Sequence, residues 1–287
     1  RGARHGSTSV TPTVERRQVE GAVPLEVLYC PQSEAAARTP LVFVHGAYIG
    51  AWCWAEHFLP WFAAHGFPVC ALSLRGHGRS GGREHLHTFG IADYVEDLAQ
   101  VAADLPRAPV LIGHSMGALV VTCYLERTSV PAAVMVCPVP PFGLLPSTFS
   151  LAFSRPRLFG EINALAAGHG ASRAALAEAL FAGPVDAARV ERHYARMQAE
   201  SRRALLDMSW GPLPHLWLGS GRAPHSGALV LGAERDVLIS PALAVTAAGM
   251  LGAEYRVLDG LGHAVMLEAR WETAARTVLG WLQHRGL

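Results

Sequence analysis

Short, unbroken apolar stretches alternate with helix-length segments along most of the chain. Parallel strands that are covered on both faces of a sheet have this unbroken apolar character. The alternation therefore predicts an α/β fold with a doubly wound, mostly parallel sheet. The predicted strands are residues 41–44, 69–74, 110–112, 132–136, 228–231 and 255–258, and the predicted helices are 51–65, 91–105, 116–127, 241–251 and 264–283.

The first residues of the chain differ from the rest in composition. Residues 1–16 are basic, rich in serine, threonine and glycine, and aperiodic, which predicts a flexible arm. Two short strands at 16–19 and 25–29 flank a turn at 21–24 and predict a hairpin.

One long interval lacks the alternation. Residues 138–222 contain no convincing strand, although the stretches 173–181 and 186–206 have helical character. We interpret this insertion of helices between two strands as a lid over the carboxyl edge of the sheet. The predicted organisation is thus an α/β core of residues 17–137 and 223–287 with a helical lid at 138–222.

The composition excludes several classes of protein. Hydrophobic residues make up 51% of the 287 positions and charged residues 16%, against about 25% charged in an average soluble domain, so the chain is not disordered. The net charge of +1 creates no field that attracts nucleic acid or an anionic membrane. No apolar run is long enough for an integral membrane segment. All 24 basic residues are arginines, which excludes Schiff-base chemistry on lysine.

The cysteines predict a reducing, cytoplasmic setting. No two of them have the CxxC spacing of zinc ribbons or redox motifs, and their number is odd. The chain begins with Arg1 rather than methionine, which leaves open a removed targeting segment. The five positions are Cys30, Cys53, Cys70, Cys123 and Cys137.

The candidate nucleophile is Ser115, in the GxSxG sequence of residues 113–117. A predicted strand precedes this sequence and a predicted helix follows it. A serine at such a turn is held in a strained conformation that exposes its hydroxyl at the sheet edge, and the flanking glycines avoid clashes. A plain turn with a helix-capping serine is the alternative.

A serine hydroxyl needs a base within hydrogen-bond reach. Of the 14 histidines, His263 follows the last predicted strand, in the glycine-rich turn LDGLGHA. This turn lies at the same sheet edge as Ser115, which makes His263 the candidate base. A helix-capping or surface histidine is the alternative.

The base in turn needs a carboxylate that fixes its tautomer. Asp236 follows the predicted strand 228–231, in the loop one strand before that of His263. Glu234 and Asp259 are rivals, and Asp236 and Glu234 have the alternative of pairing with Arg235 at the surface.

An oxyanion hole needs two backbone N–H groups aimed at one point. We expect one from Met116, at the start of the helix after the nucleophile. The other is expected from Ala47, in the turn after strand 41–44, where Gly46 lets the backbone bend. His45 and His77 are interpreted as residues that stabilise turns rather than as catalysts.

Taken together, these motifs resemble those of the α/β-hydrolase superfamily of serine hydrolases over about residues 17–284. The resemblance rests on His45-Gly46, RGHGRS at 75–80, GHSMG at 113–117, Asp236 and Gly262-His263, in the chain order Ser, Asp, His.

Two branches of the superfamily share particular segments with the chain. HGAYIGAWCW at 45–54 is similar to the first loop of plant methylesterases, hydroxynitrile lyases and their bacterial relatives. The elbow and the lid are more similar to monoglyceride lipases and lysophospholipases. Epoxide hydrolases and haloalkane dehalogenases of this fold carry aspartate in place of Ser115. The lyases need a pocket lysine, and threonine where this chain has Gly46.

The resemblance implies cleavage of carboxylic esters through an acyl-enzyme intermediate by a Ser-His-Asp triad. It implies a small-molecule ester or thioester substrate and neither a metal nor an organic cofactor. Thioesterases and acyltransferases of biosynthetic pathways share the whole constellation, and non-turnover small-molecule receptors of this fold retain the triad, so both alternatives stay open. We expect the apolar start of the lid to roof an acyl pocket with walls from Tyr48, Trp52, Phe142, Leu145, Phe149 and Val265.

Overall fold

The computed structural model describes residues 12–31, 38–211 and 227–287. Its centre is an eight-stranded sheet with the strand order β1-β2-β4-β3-β5-β6-β7-β8. Strand β2 pairs antiparallel with β1 and with β4, and all other neighbours are parallel. The predicted doubly wound, mostly parallel sheet is thus confirmed. The strands are β1 Glu15–Val19, β2 Leu25–Cys30, β3 Leu41–Val44, β4 Val69–Leu72, β5 Val110–His114, β6 Ala133–Val136, β7 Ala228–Ala233 and β8 Glu254–Leu258.

Helices cover both faces of this sheet. In the described residues the α-helices are α1 Trp52–Ala55, α2 Phe58–Ala64, α3 Ile91–Ala103, α4 Met116–Leu125, α5 Leu145–Ser154, α6 Pro156–Ala166, α7 Arg173–Leu180, α8 Ala187–Tyr194, α9 Arg202–Trp210, α10 Pro241–Leu251 and α11 Trp271–His284. The described part of the chain also contains two 3-10 helices, Arg83–Thr88 and Val265–Leu267.

The core has two layers, one on each face of the sheet. Leu41 and Phe43 of β3 pack with α1, α2 and α11, whereas Val42 and Val44 pack with α3, α4 and α10. Successive side chains of a strand point to opposite faces. All four are completely buried, which explains why this strand is apolar without interruption.

Three predicted helices are broken where side-chain chemistry forbids continuation. Pro60 divides residues 51–65 into α1 and α2, because its ring would clash with the carbonyl group four residues earlier. Asp186 and Ser201 each cap a new helix, accepting hydrogen bonds from the N–H groups of Arg189 and Ala204, so residues 186–206 form α8 and α9. The stretch predicted as helix 264–283 begins as a 3-10 turn, and its α-helix, α11, starts at Trp271.

The insertion, which we define as described residues 138–211 between β6 and β7, is helical and contains α5 to α9. Helices α5 and α6 were not predicted from the sequence. Each carries a proline in its first turn, Pro146 and Pro156. A proline is tolerated there because its missing N–H group would have no partner inside the helix.

The boundaries at the two ends of the predicted units differ from the structure or lie outside it. Strand β1 begins at Glu15, so the last two residues assigned to the arm belong to the sheet. It pairs with β2 as the predicted hairpin. Residues 1–11 of the arm, and 212–226 with the predicted lid boundary at 222, lie outside the described residues. Within the described chain, no helix has both the length and the hydropathy needed to cross a bilayer.

Candidate active site

Ser115 occupies the sharp turn between β5 and α4. Its backbone has φ of 52° and ψ of −115°, a conformation that costs a non-glycine residue of order 1–3 kcal/mol. The turn is held on both sides, because the Ser115 N–H donates to the carbonyl oxygen of Val136 and its own carbonyl accepts from Val139. A Cβ atom at Gly113 would lie 2.4 Å from the carbonyl oxygen of Gly117, so the elbow requires glycine.

A chain of hydrogen bonds links three of the predicted residues. The Ser115 Oγ lies 3.1 Å from Nε2 of His263, and Nδ1 of His263 lies 2.7 Å from Oδ2 of Asp236. His263 and Asp236 are buried, whereas Ser115 is partly exposed. If His263 is neutral with its proton on Nδ1, Nε2 is free to accept the serine proton. The three residues come from the ends of β5, β7 and β8, as the order of the strands predicts.

The carboxylate of Asp236 is fully engaged. Its Oδ1 accepts hydrogen bonds from the N–H groups of Leu238 and Ile239, both at 2.8 Å. The two rivals are exposed rather than buried beside His263, and Glu234 accepts from the N–H of Gly260 instead. Asp236 is therefore the acidic residue of the three that contacts the histidine.

Cys137, which has φ of 45°, lies beside Asp236, with its Sγ within 4.8 Å of a carboxylate oxygen. Burial, reinforced by the Asp236 carboxylate, raises the pKa of the Cys137 thiol well above its usual value. The thiol thus keeps its proton. Cys137, Asp236 and His263 are the three residues of the described chain that could together hold a metal ion. The 2.7 Å hydrogen bond and the two N–H donors already satisfy Asp236 without one.

Two neighbours fix the loop that carries His263. Nε2 of His114 donates to the carbonyl oxygen of His263 at 2.9 Å. Burial, followed by the adjacent His263 ring, keeps the pKa of His114 well below its usual value, so His114 is neutral. Glu268 accepts from the N–H groups of Gly262 at 2.9 Å and of Ala182, in the insertion, at 2.7 Å. His114 and Glu268 carried no signal in the sequence that separated them from other residues of their type.

The turn at residues 45–50, here called the oxyanion turn, packs directly against the elbow. A Cβ atom at Gly46 would lie 3.1 Å from Cβ of Ser115, and one at Gly117 would lie 2.4 Å from the carbonyl oxygen of His45. Among the described residues, the backbone N–H groups of Ala47 and Met116 have no hydrogen-bond partner. These are the two donors that the sequence predicts, and no hydrogen bond within the described part of the chain occupies either of them.

His45 stabilises the oxyanion turn from inside. Its Nδ1 donates to the carbonyl oxygen of Gly46 at 2.8 Å, and its Nε2 accepts from the N–H of Leu74 at 3.0 Å. Burial, and then the neighbouring His77, lower the pKa of His45 to about 3. A neutral, buried histidine with both nitrogens bonded is structural, as the sequence predicts.

The predicted pocket residues fall into different environments. Trp52 lies in a groove of about 540 Å³ between α1 and α8, beside Glu56, His193 and Arg196. Its ring stacks on that of His193, and the guanidinium group of Arg196 lies 4.3 Å from its centre. Val265 is buried, and Tyr48, Phe142 and Leu145 are half-buried.

Phe149 differs from the expectation. On the second turn of α5 its side chain is 62% exposed, and Phe153, one turn further, is 87% exposed. The buried face of α5 is instead formed by Ser147 and Leu151. The apolar residues of α5 are thus divided between a buried face and an exposed face, and Phe149 lies on the exposed one.

The fold and these motifs agree with a comparison against known families. A model of the alpha/beta hydrolase family matches residues 41–277. The chain belongs to the alpha/beta hydrolase family. A thermophilic esterase of known structure has a TM-score of 0.68 and 17% identity, covering 96% of this chain and 99% of that one. At this identity the likeness shows the fold.

Sequence relatives match a shorter part of the chain. It is 33% identical over 113 residues to Methylesterase 8 of Arabidopsis thaliana (37% of this chain, 39% of the relative). It is 40% identical over 107 residues to a non-heme chloroperoxidase of Streptomyces lividans (36% and 37%). It is 43% identical over 77 residues to a monoacylglycerol lipase of Mycolicibacterium smegmatis (25% and 27%). The chain thus spans less than half the length of these curated relatives.

Proposed function

We propose that the protein hydrolyses carboxylic esters of small molecules through a covalent acyl-enzyme. The observation that carries the proposal is the strained Ser115, whose hydroxyl is bonded to a histidine that is itself bonded to a buried aspartate. Nucleophile, base and orienting carboxylate are the parts that acyl transfer requires. The methylesterase and monoacylglycerol lipase relatives support an ester as the substrate class.

In the first half-reaction Ser115 Oγ attacks the ester carbonyl carbon while Nε2 of His263 takes the hydroxyl proton. The N–H groups of Ala47 and Met116 donate to the oxyanion of the tetrahedral intermediate. Asp236 stabilises the imidazolium that forms. Collapse of the intermediate breaks the bond to the alcohol, which leaves with the proton of His263, and the acyl group stays on Ser115.

In the second half-reaction water replaces the alcohol. His263 takes a proton from the water, whose oxygen attacks the acyl carbon. The same two N–H groups bind the second oxyanion. Return of the proton to Ser115 Oγ breaks the acyl–serine bond and releases the carboxylic acid. Apart from the ester and the water, each step uses only side chains and backbone N–H groups of the site.

The insertion is proposed to act as a lid and, with Tyr48, Trp52 and Val265, to border the acyl pocket. The partly buried Phe142 and Leu145 support this placement more than the exposed Phe149 does. We also propose a reducing, cytoplasmic setting, supported by five cysteines that are all buried and free of disulfide bonds.

The proposal is tested with a fluorophosphonate probe and p-nitrophenyl butyrate. The probe should label Ser115 of the purified protein, and Ser115→Ala should lower kcat by about 10³-fold or more without changing the fold. Ser154→Ala, which removes an exposed hydroxyl bonded to the carbonyl of Ser150, is the matched control and should retain full activity. Label on another serine, or undiminished turnover by Ser115→Ala, would remove Ser115 from the mechanism.

The same assay distinguishes the other functions that share this site. Acyl-CoA thioesters are tested beside the p-nitrophenyl esters. Faster turnover of the thioesters would identify a thioesterase, and product formation only with an added alcohol or amine would identify an acyltransferase. Binding without turnover of either substrate class would favour a small-molecule receptor and overturn the proposed hydrolase.

A further inference from the structure

We propose that Glu200, a residue of the insertion, is a positioning residue that holds the oxyanion turn in its working shape. It acts through the backbone of Tyr48 and in partnership with His77. The inference rests on the proposed ester hydrolysis and concerns a residue that touches neither the substrate nor the Ser115–His263–Asp236 chain.

The carboxylate of Glu200 is buried and receives four hydrogen bonds. Oε2 accepts from the N–H of Tyr48 at 3.2 Å and lies 3.0 Å from Nε2 of His77. Oε1 accepts from the hydroxyl of Tyr94 at 2.9 Å and from the N–H of Ser201 at 2.7 Å. Three of these donors belong to three separate parts of the α/β core, so one side chain of the insertion joins them.

Tyr48 is the residue of the oxyanion turn that most needs outside support. Its φ of 66° is in the left-handed region, which disfavours a residue with a bulky side chain. Both of its backbone polar groups are bonded to the insertion: the N–H to Glu200, and the carbonyl oxygen to the N–H of Gln198 at 2.9 Å. The peptide bond before Tyr48 is shared with Ala47, so its orientation affects the neighbouring oxyanion donor.

His77 supplies the charge that allows a carboxylate to be buried here. Its Nδ1 lies 3.1 Å from the carbonyl oxygen of Arg75, which only accepts, and its Nε2 faces Glu200. Both nitrogens therefore donate, and the ring is an imidazolium. Burial alone would lower the pKa of His77, but the charge and hydrogen bond of Glu200 raise it above its usual value. The reciprocal attraction outweighs burial and lowers the pKa of Glu200.

The other groups around the pair do not reverse the charges of His77 and Glu200. The neutral ring of His45 lies 5.0 Å from that of His77, and the ring of Tyr94 packs edge-on against His77. The charge of Arg83 opposes the protonation of His77 but is outweighed by that of Glu200, and Arg83 is bonded to Gln198. With both partners inaccessible to solvent, the loss of one charge leaves the other buried and uncompensated.

Gln198 extends this connection to a second core loop. Its Oε1 accepts from the N–H of Gly78 at 2.9 Å, and its Nε2 donates to the carbonyl oxygen of Gly76 at 2.9 Å. Residues 198–200 thus bridge the oxyanion turn and the RGHGRS loop. These residues of the insertion thus support the two core loops beside the site, in addition to the proposed role of the insertion as a lid.

The test compares Glu200→Gln with Glu191→Gln. The first change keeps the size of the side chain but removes its charge and replaces one acceptor oxygen by an amide NH₂ group. In either orientation of the amide, this NH₂ group faces a backbone N–H donor, that of Tyr48 or that of Ser201. The second alters an exposed glutamate of the same insertion that pairs with Arg173. The readouts are kcat and KM for p-nitrophenyl butyrate, and inhibition by an alkyl trifluoromethyl ketone, whose serine adduct carries an oxyanion.

Glu200→Gln should lower kcat about 10- to 100-fold, less than the loss of an oxyanion donor itself, with KM changed less than about twofold. Binding of the trifluoromethyl ketone should weaken by the same factor as kcat/KM. Glu191→Gln should match the wild type in both. A merely structural role would reduce the amount of active protein but leave the ketone affinity of the active fraction unchanged, and that result would overturn the inference.

Two controls accompany this comparison, the Tyr94→Phe variant and the activity of the wild type. If Glu200→Gln cannot be purified, Tyr94→Phe removes one of the four donors, and a lower kcat with unchanged KM supports the inference whereas an unchanged kcat contradicts it. The wild type is measured first: if it neither turns over the ester nor reacts with fluorophosphonate, the proposed function fails. If the wild type is active and Glu200→Gln equals Glu191→Gln, only the inference fails.

Discussion

Replacement of Asp236 by asparagine tests the candidate site most directly, because the structure dictates how the new amide must point. Oδ1 of Asp236 accepts from the N–H groups of Leu238 and Ile239. An asparagine oxygen must take the same place, since the amide nitrogen cannot accept. The NH₂ group then faces Nδ1 of His263, 2.7 Å away in the wild type.

The energies support a single orientation of that amide. Turning it around would leave two buried N–H groups without an acceptor, at about 1–3 kcal/mol each. With the NH₂ group donating to Nδ1, the proton of a neutral His263 moves to Nε2. That nitrogen can no longer accept the proton of Ser115. We therefore expect kcat to fall by about 10⁴-fold, equivalent to about 5 kcal/mol of lost transition-state stabilisation.

The assay is kcat for p-nitrophenyl butyrate, with thermal unfolding measured in parallel. Because the substitution is isosteric, the folded structure should be retained. Glu234→Gln is the matched control: this carboxylate is exposed and bonds the N–H of Gly260, so kcat should stay within about twofold. A kcat of Asp236→Asn above a tenth of the wild-type value, or a larger loss in Glu234→Gln, would refute the assignment of the acid.

Two further predictions concern the pocket and the elbow. Each buried methylene of the acyl chain contributes about 0.8 kcal/mol to binding. For p-nitrophenyl esters, kcat/KM should therefore rise about three- to fourfold per carbon from acetyl to butyryl or hexanoyl, and fall for very long chains. A flat C2–C16 profile would mean that side chains of the insertion fill the pocket. Gly117→Ala places Cβ 2.4 Å from the carbonyl oxygen of His45 and should destabilise by about 1–3 kcal/mol in denaturant unfolding. Gly160→Ala in α6, with open space around its Cβ, should stabilise by about 0.4–1 kcal/mol; equal effects of the two substitutions would contradict the packing argument.

The sheet and the hydrogen-bonded chain at its edge were predictable because they depend on local patterns and on one topological rule. A strand such as β3, buried on both faces, leaves an apolar run that no turn or surface helix produces. The carboxyl ends of parallel strands meet at one edge of the sheet, so residues that directly follow β5, β7 and β8 lie close together at that edge. Ser115, Asp236 and His263 follow from the strand that precedes each of them.

The boundaries of the helices were less predictable, because the effect of a proline on a helix depends on its position within that helix. Pro60 and Pro156 each lie in the first turn of a helix, α2 and α6, where a proline is tolerated, and each also prevents continuation of the helix before it. A proline in the sequence therefore marks both the end of one helix and the start of another, and the exact boundaries depend on the residues around it. The exposed Phe149 illustrates a second limit: hydrophobicity predicts burial on average, but the face of α5 that packs is decided by its neighbours.

The buried pair of His77 and Glu200 could not be predicted from the sequence, because the two residues are brought together only by the tertiary fold. Each is unremarkable in its own segment, one in a glycine-rich loop and the other in a polar, arginine-bearing stretch of the insertion. A carboxylate without solvent is unfavourable unless a cation and several donors meet it, and here they come from positions 48, 77, 94 and 201. Because those donors include the backbone of the oxyanion turn, replacement of the insertion by an unrelated helical segment would remove a bond that the core cannot provide for itself. An insertion of this kind is therefore constrained at residues 198–200 even where its exposed helices are free to vary.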